Sequence, residues 1–280
     1  MTWFKKLLNN NWLVTCFMWL YALLSVYPLI WMIFYSLKNN DEIFVSNPFG
    51  FPTHLRFENY VDAWSKYNVP VYFSNSLIVA IATVIGAVIL AVMFSYATAR
   101  LQWRFRGIAN TYMMIGMFIP IQVIMIPLAI LVRDFHIANT YAALIIPYIA
   151  FNLSFTSIVF YGFFRGVPIE LEESACIDGA SIYRTFFSIM LPIIKPALAT
   201  MVIFIFLNSW NEFTMAVILI TKESLKTLPL GLLFFQGQFT TNWGAMGAAM
   251  TIASLPTVLI YMLFSEQVEN ALTVGSAVKG

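Results

Sequence analysis

Long stretches without any charged side chain are the feature that most constrains this chain. No Lys, Arg, Asp or Glu occurs in six segments: 7–37, 67–99, 107–132, 135–164, 196–211 and 227–265. A helix of roughly 20 apolar residues crosses a hydrocarbon core about 30 Å thick. Every segment but 196–211 reaches that length, and that one continues to Ile220 with only Glu212 intervening. The pattern predicts an all-α membrane protein with six transmembrane helices.

The predicted spans define the organisation of the chain. We place them near 12–37, 73–99, 107–131, 142–164, 197–220 and 243–265. This gives an amino terminus 1–11, a first transmembrane helix 12–37, an outer loop 38–72, a transmembrane core 73–265 and a carboxyl tail 266–280. The core contains one long polar loop, residues 165–195.

Basic residues predict the orientation of the spans. They concentrate before the first span, after the second and around the loop 165–195: Lys5, Lys6, Arg100, Arg104, Arg106, Arg165, Arg184 and Lys195. Because basic residues favour the cytoplasmic side, both termini and the loop 165–195 are predicted to be cytoplasmic. The net charge of +2 is too small to indicate binding to nucleic acid.

The loop 165–195 contains a charged island at residues 170–180. Pro168 suits the first turn of a helix, the glutamates that follow are favoured there by the helix dipole, and Gly179 suits a helix end. We therefore predict a short helix at 169–178 and a second helix that begins near Ser181. Four apolar residues of the second helix are expected to pack on the spans: Ile182, Phe186, Ile189 and Met190.

The short helix is predicted to present a small, smooth face. Leu171, Ala175 and Asp178 share that face and are flanked by acidic residues, which suits entry into the cleft of a soluble protein. The alternative is a solvated linker on the membrane surface. Interfacial helices usually carry Lys or Arg on their polar face, so the acidic composition favours the docking interpretation.

Glu212 is the one ionisable residue deep within a predicted span. It lies beside Asn208, Trp210 and Asn211, and these four residues are either a packing node or substrate contacts. Ion-coupled secondary transporters hold ionisable residues in the membrane, so a transporter of small polar solutes is the alternative function. A single carboxylate supports it weakly, and the packing interpretation comes first.

Other side chains bear on enzymatic or packing roles. His54 and His136 lie in predicted loops and are interpreted as surface residues, and no phosphate-binding loop motif is present. We predict no catalytic residues, no metal site and no cofactor bound by this chain.

Small residues at the start of the sixth span suit close helix contact inside the protein: Gly244, Gly247, Ala248 and Ala249.

The charged island resembles a known motif. Glu173-Ser-Ala175, Gly179 and Ile189-x-Leu191-Pro192 look like the EAA loop of binding-protein-dependent ABC importers, with Ser174 in place of an alanine. Four further segments resemble the smaller six-span subunit of the maltose-type carbohydrate permeases: Asn139-Thr-Tyr141 to Pro147, Gly162-Phe-Phe-Arg-Gly166, Trp210-Asn-Glu-Phe213 and Leu272 to Gly280. The resemblance covers residues 12 to 280, and the tail departs from the family at Glu266, Glu269 and Ala271.

This resemblance implies a type I ABC importer permease fold with a cytoplasmic EAA coupling helix. The implied function is the permease subunit of an ATP-driven importer of a sugar, expected to be an oligosaccharide, in a bacterial or archaeal cytoplasmic membrane. The implied partners are a second permease subunit, two cytoplasmic ATPases that bind ATP and Mg, an extracytoplasmic solute-binding protein and membrane lipid.

The resemblance also assigns residues to these partners. Coupling to the ATPases is assigned to Glu173, Ser174, Ala175, Asp178, Gly179, Ile189, Leu191 and Pro192. Tail contacts with the ATPases are assigned to Thr273, Gly275, Lys279 and Gly280. Gly231 and Gly237 belong to the loop 221–242, which corresponds to the loop that contacts the binding protein.

Overall fold

The structure is a computed structural model that describes residues 12–235 and 241–277, with side chains at all of these except Leu13, Phe234 and 265–277. The chain forms two compact units. Unit 1 comprises Met1–Val69 and Leu232–Ser254, and unit 2 comprises Pro70–Gly231 and Leu255–Gly280.

Unit 1 contains the first transmembrane helix, a helical cap and the beginning of the last helix. Its elements are α1 (Trp12–Ser36), a π-helical turn (Glu42–Ser46), α2 (Glu58–Ser65), a 3-10 turn (Leu232–Phe235) and the start of α12 (Trp243–Ala277). A Cβ at Gly244 would overlap the Lys38 carbonyl oxygen, and one at Gly247 would overlap the Tyr35 ring. The predicted small-residue face is therefore confirmed as an internal helix contact.

The cap of unit 1 is held by buried polar side chains. The Lys38 ammonium is buried and donates to the carbonyls of Asn47 and Pro48. Asn59 donates from Nδ2 to the carbonyls of Ser36 and Lys38 at 2.9 Å each. Burial lowers the pKa of the Lys38 ammonium below its usual value. Because buried charges and amides cost free energy unless they are paired, these bonds fix the cap to the end of α1.

Unit 2 contains most of the transmembrane helices and the charged island. Its elements are α3 (Val69–Ala99), α4 (Arg106–Gly116), α5 (Ile121–Asp134), α6 (Ala142–Gly166), α7 (Glu170–Ile177), α8 (Ile182–Ile193), α9 (Lys195–Trp210), α10 (Thr214–Leu219), a 3-10 turn (Glu223–Leu225) and α11 (Leu228–Gly231). Val69, the first residue of α3, belongs to unit 1, and the residues of α12 from Leu255 onward belong to unit 2. One hydrophobic core of unit 2 includes Phe160, Phe164, Met190 and Ile194, which are all buried.

Four described helices are long and apolar enough to cross a membrane, and up to six spans result if each bent helix pair counts as one. The third predicted span, 107–131, consists of two helices, because α4 and α5 meet at 102°. Pro120 supplies no backbone donor and takes an extended conformation at the start of α5. The chain turns before it, at Met117–Ile119.

The fifth predicted span is also interrupted. α9 ends at Trp210 and α10 begins at Thr214, so a single helix over 197–220 is wrong. α9 also makes a bend of 74° with α8. At 1.5 Å per residue, the 16 residues of α9 extend about 24 Å, less than the hydrocarbon thickness. The sixth helix continues to Ala277, beyond its predicted end at 265.

Candidate functional site

The charged island forms the predicted short helix and turn. α7 spans Glu170–Ile177, inside the predicted range of 169–178. The Ile169 carbonyl accepts from the backbone of Glu172 at 2.9 Å and Glu173 at 3.1 Å, which begins the helix. Gly179 follows with a φ of +74°. Only glycine adopts this conformation without a steric penalty, so the predicted role of Gly179 as the turn residue is confirmed.

The second helix of the loop, α8, anchors the island to the core. Ser181 caps it by accepting from the Arg184 backbone at 3.3 Å. Phe186 and Met190 are buried, and the Phe186 ring lies 4.9 Å from the Tyr96 ring. Ile189 and Leu191 are half-buried and Pro192 is exposed. The predicted packing is confirmed for Phe186 and Met190, but it is wrong for Ile182, which is exposed.

An ion pair that the sequence did not predict ties α7 to the spans. Arg100, after the end of α3, donates from Nε to Glu172 Oε2 at 2.6 Å. The Tyr96 hydroxyl donates to Glu172 Oε1 at 3.1 Å. Arg100 also donates to the carbonyls of Phe164 at 3.3 Å and Val167 at 3.0 Å. The side chains of Arg100 and Glu172 are 7% and 17% exposed, so the pair is largely shielded from water.

The opposite side of α7 is available to a partner. Glu173, Ser174 and Asp178 are exposed, and Ser174 Oγ donates to the Glu170 carbonyl at 2.7 Å. Ala175 is only 5% exposed. The expectation that it keeps an exposed face small is therefore wrong, because its methyl group faces the interior of the chain. Its small size instead lets α7 lie close to the structure beneath it.

Exposed apolar side chains surround the Gly179 turn. Ile177 is 86% exposed and Tyr183 is 77% exposed, and Phe187 is exposed as well. Exposed apolar groups rimmed by polar residues are typical of protein interaction sites. Five of these exposed side chains form one surface, which we name the coupling surface after the role that the sequence resemblance implies: Glu173, Ser174, Ile177, Asp178 and Tyr183. The apolar character of Ile177, Tyr183 and Phe187 could be read from the sequence, but the exposure of these side chains could not.

A second group of polar side chains lies where α9 gives way to α10. The Glu212 carboxylate accepts from the backbone of Met215 at 2.7 Å and of Ala216 at 3.2 Å. It also accepts a short hydrogen bond from the Tyr148 hydroxyl of α6. Glu212 thus satisfies donors at the start of α10 that have no partner within that helix. This geometry supports the packing interpretation of Glu212.

A cavity of about 210 Å³ opens beside Glu212. Its polar lining is Tyr148, Asn152, Asn208, Ser209 and Glu212. Two of the predicted residues lie elsewhere. Trp210 is buried and its ring packs on the rings of Phe73 and Phe206. Asn211 is exposed and donates to the Leu207 carbonyl at 2.9 Å.

The remaining predicted residues lie away from these two sites. Gly231 is buried, and a Cβ there would overlap the Tyr72 ring. Gly231 itself is therefore not exposed, and the assignment of the loop 221–242 to the binding protein stays a prediction. Two of the predicted tail residues lie in the part of α12 whose side chains are not described: Thr273 and Gly275. Three further predicted residues lie outside the described residues: Gly237, Lys279 and Gly280. Within the described residues no group of His, Cys, Asp and Glu could hold a metal ion.

More than half of the chain matches a known protein family. The profile of the binding-protein-dependent transport system inner membrane component family aligns with residues 87–274. The chain belongs to this family. It is therefore a multi-pass membrane permease component of an ABC importer and not an enzyme, as the EAA-like motif and the six charge-free segments predicted.

Curated relatives match this permease over nearly its whole length. The diacetylchitobiose uptake system permease protein NgcG of Streptomyces coelicolor is 34% identical over 92% of this chain and 85% of its own. The trehalose/maltose transport system permease protein MalG of Thermococcus litoralis is 32% identical over 93% and 94%. The arabinooligosaccharides transport system permease protein AraQ of Bacillus subtilis is 31% identical over 95% of each chain.

A solved structure shows the same fold. The permease is similar to a chain in the crystal structure of a bacterial ABC transporter involved in the import of the acidic polysaccharide alginate. The TM-score is 0.81 at 20% sequence identity, and the match covers 91% of this chain and 95% of that one. The predicted importer permease fold is confirmed.

Proposed function

We propose that this permease imports an oligosaccharide, driven by ATP hydrolysis in partner ATPases. The names of its relatives support a sugar cargo, since they refer to diacetylchitobiose, trehalose and maltose, and arabinooligosaccharides. The proposed assembly contains a second permease subunit, two cytoplasmic ATPases that bind ATP and Mg, and an extracytoplasmic solute-binding protein. In this assembly both termini and the loop 165–195 face the cytoplasm.

The observation that carries the coupling proposal is the position of α7. On one side of α7, Glu172 is fixed to the core by its ion pair with Arg100. On the other side, Glu173 is exposed. A partner that grips the exposed side therefore moves a helix that is firmly attached on the other side. The exposed acidic and apolar groups suit a protein cleft that contains a basic residue.

The route of the movement follows from the hydrogen bonds of Arg100. A displacement of α7 acts on Glu172, which is bonded to Arg100 and Tyr96 near the end of α3. Arg100 is bonded in turn to the carbonyls of Phe164 and Val167 near the end of α6. Closure of the ATPases would then shift the ends of two long transmembrane helices together.

The coupling proposal is tested by reversing the charge of Glu173. Glu173→Lys places a cation at the centre of the coupling surface, and we expect the ATPases to be lost from the purified complex and uptake to fall at least tenfold. Glu170→Lys is the matched control, because Glu170 is exposed on the same helix one turn earlier. The measurements are the ATPase to permease ratio after affinity purification and the uptake rate of the sugar in cells.

Two outcomes separate docking from general damage. Loss of ATPases in the Glu173 variant with a normal amount of permease in the membrane supports the proposal. Full ATPase retention and normal uptake in that variant would refute it, as would equal losses in both variants. The cargo is tested separately by purifying the cognate solute-binding protein and identifying its bound solute by mass spectrometry, where a solute other than a sugar contradicts the proposal.

A further inference from the structure

A basic cavity lies at the root of α7, apart from the coupling surface. It has a volume of about 180 Å³ and is lined by Ala99, Arg100, Gln102, Arg106, Arg165 and Ile169. These residues come from the end of α3, the start of α4, the end of α6 and the approach to α7. Three arginines therefore line one small space, from α4, from α6 and from the connection that follows α3.

The charges of this cavity do not cancel. Arg100 is neutralised by Glu172 at 2.6 Å. The Arg106 guanidinium donates a long hydrogen bond to the Leu101 carbonyl at 3.4 Å. In the described part of the chain neither Arg106 nor Arg165 forms an ion pair. Two positive charges thus border a cavity that the described residues leave without a counter-charge. An anion is the ligand that this arrangement favours.

The surroundings place the cavity at the membrane surface. α3 and α6 are continuous spans, and the cavity lies at the end of both. Trp103 and Phe105 are exposed in the connection between α3 and α4, and Trp103 donates from its indole to the Ala97 carbonyl at 2.9 Å. Exposed aromatic residues of this kind are enriched at the level of lipid headgroups. Arginine is also well suited to phosphate, since its planar guanidinium can donate two parallel hydrogen bonds.

We propose that this cavity binds the phosphate of an anionic phospholipid. Arg106 and Arg165 supply the charge, Gln102 supplies a neutral polar group, and the acyl chains extend along the lipid-facing sides of α3 and α6. Basic pockets between transmembrane helices are known to bind acidic lipid headgroups. Ile169 borders the same cavity and its carbonyl begins α7, so the bound lipid contacts the root of the coupling helix.

The proposal is tested by measuring the lipid retained by the purified full transporter. The protein is reconstituted in nanodiscs of phosphatidylcholine with 30% phosphatidylglycerol as a chosen composition, extracted in detergent and analysed by native mass spectrometry. We expect wild type to retain phosphatidylglycerol preferentially. The double variant Arg106→Gln/Arg165→Gln is expected to retain roughly tenfold less, because it removes the two guanidinium groups that can donate charge-assisted hydrogen bonds to the phosphate.

Matched variants separate a built site from general attraction. Arg104→Gln removes one charge from the same connection but lies outside the cavity, and it should retain lipid as wild type does. Arg106→Lys/Arg165→Lys keeps both charges but loses the paired guanidinium donors, so it should recover part of the retention. Equal retention in wild type and the Gln double variant would overturn the proposal, and so would an equal loss in Arg104→Gln. Thermal unfolding of each variant checks that it is folded.

A further arm distinguishes lipid from free phosphate. Inorganic phosphate at 10 mM as a chosen concentration is added to the detergent sample, and the retained phosphatidylglycerol is measured again. Persistence of the lipid supports a headgroup site, while complete replacement by phosphate assigns the cavity to a soluble anion and overturns the lipid proposal. No ATP or sugar is required, so this result is independent of the proposed transport function.

Discussion

The guanidinium of Arg100 joins two separate parts of the chain. It is bonded to Glu172 of α7 and to the carbonyls of Phe164 and Val167 near the end of α6. The C-terminal carbonyls of a helix lack partners within that helix, and a cation there is favoured by the helix dipole. One side chain thus satisfies the end of a span and positions the coupling helix.

The first prediction concerns this ion pair. Arg100→Gln leaves the shielded Glu172 carboxylate without its cation, and loss of one partner of a buried pair costs about 3 kcal/mol. We expect a lower thermal midpoint and weaker coupling of ATPase activity to uptake. The double variant Arg100→Gln/Glu172→Gln should recover part of the midpoint, because it removes the uncompensated charge.

The control for this prediction is Arg104→Gln. Arg104 stacks on Phe105 instead of forming an ion pair, so its loss should leave both readouts close to wild type. The measurements are thermal unfolding in detergent and the ratio of sugar transported to ATP hydrolysed. Strictly additive effects of the two substitutions on the midpoint would contradict the prediction.

At the residue scale, local chemistry was predictable and distant pairing was not. The start and end of α7 follow from its glutamates and Gly179, which act within a few residues of their own positions. The pairing of Arg100 with Glu172 joins positions 72 apart, so no local pattern indicates it. Ala175 was assigned to the wrong side for the same reason, since its exposure depends on what lies beneath α7.

At the element scale, charge-free length predicted where the membrane segments lie but not whether each is one helix. The third and fifth predicted spans are broken, at Met117–Pro120 and at Asn211–Phe213. Hydropathy is insensitive to the first break because Met117–Pro120 are all apolar, and to the second because the two polar residues there are flanked by long apolar segments. At the second break, the Glu212 carboxylate replaces missing helix partners for two backbone donors. A break inside a membrane is tolerated only where such groups are satisfied by protein or water.

The second prediction concerns the short helix α11. Gly231→Ala forces a methyl group into the ring of Tyr72, which is itself buried. Overpacking of this kind costs about 1–3 kcal/mol, and we expect a lower thermal midpoint. The matched control is Gly162→Ala in α6, where an added Cβ meets nothing within 4 Å. Alanine favours a helix over glycine, so this control should be neutral or slightly stabilising.

Thermal unfolding of both variants measures whether Gly231→Ala destabilises the protein more than Gly162→Ala does. A Gly231→Ala protein as stable as wild type would show that Tyr72 moves aside without cost. If that variant were stable but failed to bind the solute-binding protein, the role assigned to Gly231 from the family resemblance would be supported.

At the scale of the whole molecule, the two candidate functions differ in the energy source for transport: ATP hydrolysis in partner ATPases or an ion gradient. An ion-coupled transporter needs an intramembrane group that exchanges protons, and Glu212 was the candidate for this role. In the structure its carboxylate already accepts three hydrogen bonds, from Tyr148, Met215 and Ala216. Proton exchange would disrupt the start of α10, so this geometry favours a transporter powered by its partners.

The third prediction follows from this commitment of Glu212. In membrane vesicles loaded with ATP, sugar uptake should persist when a protonophore abolishes the proton gradient, and it should stop when ATP is omitted. Glu212→Gln should lower the thermal midpoint because the start of α10 loses an acceptor, while uptake stays insensitive to the protonophore. Uptake that stops with the protonophore but continues without ATP would establish the ion-coupled alternative.

The attachment of α7 through Glu172 has a consequence for assembly. A segment that folds only on binding loses conformational entropy at the moment of association, and this weakens affinity. α7 is already ordered within the permease chain: Arg100 pairs with its Glu172, and Gly179 follows its end with a positive φ. In the proposed complex with an ATPase, the permease would therefore present a preorganised ligand, and the affinity would depend on the match of two existing surfaces.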